Sequence, residues 1–112
     1  MTPTRLQVQE KAVGGGVVLG LTGEIDFTTL DVLDGALVRS AGAPVVVADV
    51  AGVTFIDSVG LTALLRAHRD LTDTGGRLAL AGAKDAVRRV LEIAGLDHVL
   101  ALYPTVQSAL NP

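Results

Sequence analysis

The sequence predicts a single α/β domain with a central, mixed but mostly parallel β-sheet flanked by about four helices. Short apolar runs typical of strands alternate along the chain with segments of helical apolar spacing. Glycine and proline interrupt the chain at short intervals, as in one compact unit, so residues 1–112 are predicted to form one domain. The predicted order of elements is β-β-α-β-α-β-α-β-α.

Composition narrows the possible functions. Hydrophobic residues make up 49% of the chain and aromatic residues 3%, so the core must consist mainly of aliphatic side chains. A net charge of −3 provides no basic surplus for nucleic acid, and the lack of cysteine excludes disulfides and thiolate chemistry. Residues 1–10 lack the apolar run of a signal peptide, and no apolar stretch approaches the ~20 residues that cross a bilayer. We therefore expect a cytoplasmic protein.

The first half of the chain predicts a hairpin, a helix and a buried strand. Alternation through Leu6 and Val8 predicts a strand, glycines 14–16 a turn, and residues 17–21 a second strand. A helix N-capped by Thr28 or Thr29 follows and ends before Pro44, with its apolar face at Leu30, Leu33, Ala36 and Leu37. Residues 45–50 are continuously apolar up to Asp49, which is typical of a strand buried on both faces.

The second half predicts three helices and two further strands. Asp57 or Ser58 opens a long helix that ends at the glycines 75–76, and residues 78–81 form the fourth strand. Asp85 starts a third helix, and Gly95 is a suitable residue to end it. Its inward-facing residues are expected to be Val87, Val90, Leu91 and Ala94. Residues 99–103 are predicted to be the fifth strand, and a short closing helix begins at Pro104 or Thr105.

Ser58 is the candidate functional residue. It follows a predicted strand and the predicted loop over residues 51–57, and functional loops of open α/β sheets lie beyond the carboxyl ends of the strands. One interpretation is a structural N-cap, in which the hydroxyl accepts a backbone N–H. The other is phosphorylation, because a phosphate at a helix N-terminus meets free N–H groups and the positive end of the dipole.

Neighbouring residues complete a predicted partner-binding surface. If the strand ends converge, Glu24, Asp26 and Asp57 would make the surroundings of phosphorylated Ser58 strongly negative and repel an acidic or apolar partner. Phe27 falls outside the apolar stripe of the first helix, so it is either an interface anchor or a lid on the edge of the core.

Other chemistries have weaker support in the sequence. A serine hydrolase elbow requires Gly-x-Ser-x-Gly, but Ile56 precedes the Asp57-Ser58 pair where the first glycine should stand. His68 is expected to face the core, and nothing in the sequence links His98 to Ser58. No Asp, Glu or His set has metal-ligand spacing, and glycines 14–16 lack the Lys-Ser/Thr of a phosphate loop. The chain is therefore predicted to be a binding protein without a cofactor and not an enzyme.

Two motifs resemble the STAS family, the small domains of anti-sigma-factor antagonists and sulphate-transporter tails. The first motif is Leu-Thr-Gly-Glu-Ile-Asp at residues 21–26. The second is Asp49 followed by Val-Thr-Phe-Ile-Asp-Ser-Val-Gly-Leu at residues 53–61. Gly82 and residues 90–96 are similar as well, so the resemblance covers nearly the whole chain.

This resemblance implies an anti-sigma factor antagonist that regulates transcription. In such proteins, the unmodified form binds an anti-sigma factor that is itself a serine kinase, and this binding frees the sigma factor. Phosphorylation of the serine in the Asp-Ser-x-Gly motif switches binding off, and a PP2C-type phosphatase reverses it. By motif match, Ser58 would be the phosphoacceptor, with Asp26, Asp57 and Gly60 shaping the site.

The sequence departs from the family pattern at position 59, and a second function within the family stays open. Val59 stands where the family often has a smaller or hydroxylated residue, which affects kinase preference but leaves the acceptor intact. The alternative is a STAS binding subunit without phosphorylation, in a lipid-transport ATPase complex or a stress-sensing assembly. The expected absence of membrane segments argues against the transporter branch.

Overall fold

A computed structural model describes residues 5–112 and confirms the predicted fold class and order of elements. The elements, in order, are β1 (Leu6–Val13), β2 (Gly16–Ile25), α1 (Leu30–Arg39), β3 (Val45–Ile56), α2 (Ser58–Asp73), β4 (Arg77–Ala81), α3 (Asp85–Ile93), a 3-10 helix (Leu96–His98), β5 (Ala101–Tyr103) and α4 (Val106–Leu110). Among these, no helix has the length and apolar character needed to cross a membrane.

The strands form one five-stranded sheet in sequential order. β1 and β2 form the predicted antiparallel hairpin, with Leu6 opposite Gly23, and every later neighbouring pair is parallel. The carboxyl ends of β2 and β3 therefore lie side by side at one edge of the sheet. This edge carries both motifs, at Ile25–Asp26 and Ile56–Asp57.

Helices cover the two faces of the sheet unequally. The main core contains buried residues of α1, α2 and α3 packed on one face, with Leu33, Leu64 and Leu91 almost wholly inaccessible to solvent. The other face holds a smaller cluster in which Ala109 of α4 packs near Val47 and Ala79. Both clusters are built mainly from aliphatic side chains, as the composition predicts.

β3 is longer than the sequence predicts. The apolar pattern predicts a loop at residues 51–57, but the strand continues to Ile56 and remains paired with β2 as far as Ile25. The pairing shifts in register between Gly20 and Thr22, and Gly52 lies opposite Thr22. These irregularities let a glycine-containing segment stay in the sheet. Ser58 consequently begins a helix two residues after the strand, with no intervening loop.

The segment before β5 also differs from the prediction. Residues 96–98 form a 3-10 helix, and only residues 101–103 are strand. The N–H of Leu100 donates to the carbonyl of Leu96 at 2.7 Å, and Leu100 is buried in the core. Ala94 was expected to face inward, but it is exposed because α3 already ends at Ile93.

Candidate functional site

Asp57, and not Ser58, caps helix α2. The Asp57 Oδ1 accepts the N–H of Gly60 at 3.0 Å, while the backbone of Asp57 is still extended. Ser58 is the first helical residue, and its side chain is exposed. Within residues 5–112 its hydroxyl makes no hydrogen bond. The structure thus assigns capping to the neighbouring carboxylate and leaves the Ser58 hydroxyl without a structural partner.

This division predicts effects of different size for two alanine substitutions on stability. Asp57→Ala is expected to lower the free energy of unfolding by about 1 kcal/mol, because the Gly60 N–H loses its acceptor. Ser58→Ala should change that free energy by less than about 0.5 kcal/mol, because an exposed side chain without partners is removed. Urea unfolding of the two variants measures both values. A larger loss for Ser58→Ala than for Asp57→Ala would contradict the assignment.

Gly60 allows the start of α2 to pack tightly on the ends of β2 and β3. A Cβ at this position would lie 2.4 Å from Ile25 Cγ2 and 3.0 Å from Ile56 Cγ1, closer than carbon atoms can approach. The N–H of Asp57 also donates to the Ile25 carbonyl at 3.1 Å. These contacts fix the helix start, and hence Ser58, against the end of β2.

Asp26 is the centre of a hydrogen-bonded cluster in the loop after β2. Its side chain is buried, with the residue only 6% exposed. Its Oδ1 accepts the backbone N–H of Thr28 at 2.8 Å and the Thr28 hydroxyl at 2.5 Å. Its Oδ2 accepts Arg5 Nη2 at 2.8 Å. Arg5 also donates to Glu24 Oε2 at 3.2 Å and to Thr28 Oγ1 at 3.0 Å, so one guanidinium joins three side chains.

Thr29 occupies the N-cap position of α1 but does not cap it with its side chain. Its hydroxyl instead accepts the N–H of Asp26 at 3.0 Å and donates to the Glu24 carbonyl at 2.9 Å. Its N–H donates to the Asp26 carbonyl at 3.1 Å. Thr29 therefore closes the turn that begins at Asp26, and Thr28 binds the Asp26 carboxylate. Neither threonine side chain caps α1, although the sequence predicted one of them as its N-cap.

These contacts hold the pKa of Asp26 below its ordinary value of 3.8. The hydrogen bond from the Thr28 hydroxyl is the largest cause of the lowered pKa. Burial raises the pKa, but the Thr28 and Thr29 N–H groups and the Arg5 charge lower it further. Stabilisation by the ionised carboxylate is therefore fully present above pH 3.8 and is lost as the pH falls through the lowered pKa. At neutral pH Asp26 is therefore ionised.

The surroundings of Ser58 are less negative than the sequence suggested. Glu24 and Asp26 both contact Arg5, which offsets part of their charge. Asp57 contributes its charge directly beside Ser58 and uses one oxygen for the cap. Arg5 reduces the negative charge predicted around Ser58; it is distant in sequence and enters only through the β1–β2 pairing.

Phe27 is 75% exposed, so it is not a lid on the core edge. It projects from the turn closed by Thr29, immediately before α1. Leu30, the first residue of α1, lines a groove of about 190 Å³ together with Ser58, Val59 and others. The first turns of α1 and α2 therefore border one shallow groove. Leu30, the Ser58 hydroxyl and Val59 are accessible in it.

The remaining candidate residues lie outside this surface. His68 is half-buried, with Nδ1 buried and without a hydrogen-bond partner among residues 5–112, and His98 is exposed. His68 stands ten residues after Ser58 on the same helix, a rise of about 15 Å. Arg88 binds Asp85 and Glu92 on its own helix. No group of three or more potential metal ligands occurs in the described part of the chain.

Arg5 and Thr28 are the members of the site that the sequence analysis missed as functional candidates. A signal for Arg5 was available in the hairpin. A tight turn at Gly14 and Gly15 sets the register in which Leu6 faces Gly23, and this places Arg5 beside Glu24. In the sequence, Thr28 is recognisable only as a possible N-cap. Its bond to Asp26 depends on the turn between Asp26 and Thr29.

Comparison with known proteins agrees with the two motifs. The STAS domain family model matches residues 6–109. The chain belongs to the STAS-domain family. An "anti-sigma F factor antagonist" of Paenibacillus polymyxa is 28% identical to this STAS domain over 110 residues, which cover 95% of this chain and 93% of that protein.

Solved STAS structures share the fold. The crystal structure of an anti-sigma factor antagonist from Mycobacterium paratuberculosis has a TM-score of 0.87 and 30% identity, covering 95% of this chain and 92% of that one. Bacillus SpoIIAA in its phosphorylated form has a TM-score of 0.73 at 22% identity, covering 94% and 97% of the two chains. The first supports the predicted antagonist branch of the family, and the second shows likeness of fold alone.

Proposed function

We propose that this STAS domain is an anti-sigma factor antagonist controlled by phosphorylation of Ser58. In this proposal, the unphosphorylated form binds an anti-sigma factor with serine kinase activity and releases the sigma factor. Phosphorylation ends the binding, and a PP2C-type phosphatase restores it. The antagonist names of the relatives from Paenibacillus polymyxa and Mycobacterium paratuberculosis support the class of function.

The observation that carries the proposal is the free hydroxyl of Ser58. A kinase requires an acceptor that is accessible and whose modification leaves the fold intact. Ser58 is exposed at the start of α2, and Asp57 already supplies the cap. Because first-turn N–H groups have no acceptors within the helix, a phosphate on Ser58 meets donors and the positive end of the dipole. The modified domain should therefore remain folded.

The same position explains why a phosphate would end binding. The proposed partner surface consists of Ser58 together with Glu24, Asp26, Phe27, Asp57, Val59 and Gly60. A phosphoserine adds roughly −1.5 to −2 charges. It would lie next to the Asp57 carboxylate and between apolar groups that a partner must desolvate. Repulsion and desolvation then act together against the complex.

Phosphate transfer from a serine-kinase anti-sigma factor of the same organism tests the proposal. The kinase, ATP and Mg²⁺ are incubated with the wild type, Ser58→Ala and Thr62→Ala, and incorporation is measured by intact mass. Thr62 is the matched control, because it is exposed one helical turn away and its hydroxyl is bonded to the Ser58 carbonyl at 2.9 Å. We expect one phosphate on the wild type and Thr62→Ala and none on Ser58→Ala. Equal incorporation in all three would exclude Ser58 as the acceptor.

A further inference from the structure

Arg5 joins the end of β1 to the loop that carries Phe27. Its guanidinium contacts Glu24, Asp26 and Thr28, while its backbone carbonyl accepts the Glu24 N–H at 2.8 Å. The Arg5 side chain is 45% exposed, so solvent screens its ion pairs and reduces their contribution to global stability. A guanidinium that bonds three side chains does, however, fix their geometry, because its planar donors allow few orientations.

The bonded partners are the residues on each side of Phe27. Asp26 and Thr28 are tied to each other and to Arg5, and Thr29 closes the turn behind them. Phe27 is the apolar residue of this turn, and it is 75% exposed. A turn held in this way fixes the backbone from which the ring projects, so less entropy is lost when a partner orders the ring.

We infer that Arg5 is a positioning residue for partner binding: through Asp26 and Thr28 it fixes the turn that presents Phe27 just before α1. This inference rests on the proposed function, because the occupant of the surface is the anti-sigma factor. Arg5 itself acts through the turn, and Phe27 supplies the apolar anchor. The adjacent start of α1 shares a groove with Ser58 and Val59, so the anchor and the switch act on the same partner.

A double-mutant cycle separates this role from a general structural one. Affinity for the anti-sigma factor is measured for Arg5→Gln, Phe27→Ala and the double variant. Arg5→Gln is expected to weaken binding about fivefold to tenfold in the wild-type background and less than about twofold when Phe27 is absent. Arg39→Gln is the matched control, since Arg39 forms a comparable exposed ion pair with Glu10 at 2.6 Å. It should leave the affinity unchanged.

Amide hydrogen exchange tests the ordering without a partner. The Thr28 N–H, which is bonded to Asp26, should exchange about tenfold faster in Arg5→Gln and at the wild-type rate in Arg39→Gln. Unchanged exchange, or an equal loss of affinity with and without Phe27, would overturn the inference. Failure of the unphosphorylated wild type to bind any serine-kinase anti-sigma factor would contradict the proposed function instead. The exchange rates would then still decide whether Arg5 orders the turn.

Discussion

Ser58→Asp is expected to weaken binding of the anti-sigma factor about 30-fold to 3,000-fold while leaving the domain folded. The substitution places an unpaired carboxylate beside Asp57 at the centre of the proposed interface. Burying such a charge without a partner costs about 2–5 kcal/mol, and each 1.4 kcal/mol changes the affinity about tenfold. The fold should survive because an acidic residue in the first turn of a helix interacts favourably with the dipole.

Ser58→Asn is the control for Ser58→Asp. Asparagine has nearly the same size and shape as aspartate but no charge, so it isolates electrostatic from steric effects. Titration calorimetry with the anti-sigma factor should give an affinity for Ser58→Asn much nearer to the wild type than to Ser58→Asp. Equal affinities of the wild type and Ser58→Asp would contradict a charge-operated switch, and equal losses in both variants would indicate a steric one.

Gly23→Ala is expected to lower the free energy of unfolding by about 2–6 kcal/mol. Gly23 has a φ of +120°, and a Cβ there would lie 2.0 Å from the carbonyl oxygen of Arg5. Backbone strain of this kind costs about 1–3 kcal/mol, and overpacking adds about 1–3 kcal/mol. The obstructing atom belongs to the backbone of the paired strand, so relief requires separating β1 from β2. Urea unfolding measures the loss.

Two other glycines separate strain from the steric clash at Gly23. Gly75 also has a positive φ, of +85°, but its surroundings are open, so Gly75→Ala should show strain alone. Gly42 has neither feature, and Gly42→Ala should be nearly neutral. The expected order of destabilisation is Gly23, then Gly75, then Gly42. If Gly23→Ala lowers the free energy of unfolding no more than Gly75→Ala does, then β1 and β2 accommodate the added Cβ without loss of stability.

Periodicity was sufficient to predict the elements and their order. Strands and helices of this chain have clear apolar patterns, and the turn glycines lie where the hairpin and helix ends require them. It failed where pairing overrides local composition. Residues 51–56 contain Gly52 and lack alternation, but β2 runs alongside and supplies hydrogen-bond partners, so the strand continues. Residues 99–100 are apolar and predict the start of β5, but they end a tight turn in which Leu100 is buried and bonded to Leu96.

Only those site residues that are close together in the sequence were predictable as a group. Ser58, Asp57 and Gly60 lie within one helical turn, and their arrangement follows from helix geometry. The choice between Asp57 and Ser58 as cap remained open, because both residue types cap well. Arg5 lies 21 residues from Asp26 along the chain, and their contact depends on the exact register of the hairpin. The apolar pattern around each of these two residues does not predict their contact; only the hairpin register brings them together.

The most direct test of the account is intact-mass analysis, with site mapping, of the protein isolated from the cells that produce it. The account predicts a species heavier by one phosphate, with the phosphate on Ser58, whose share of the protein varies with growth condition. Absence of phosphate on Ser58 under every condition would contradict the switch. It would favour a STAS subunit that binds its complex without modification, such as one in a lipid-transport ATPase or a stress-sensing assembly.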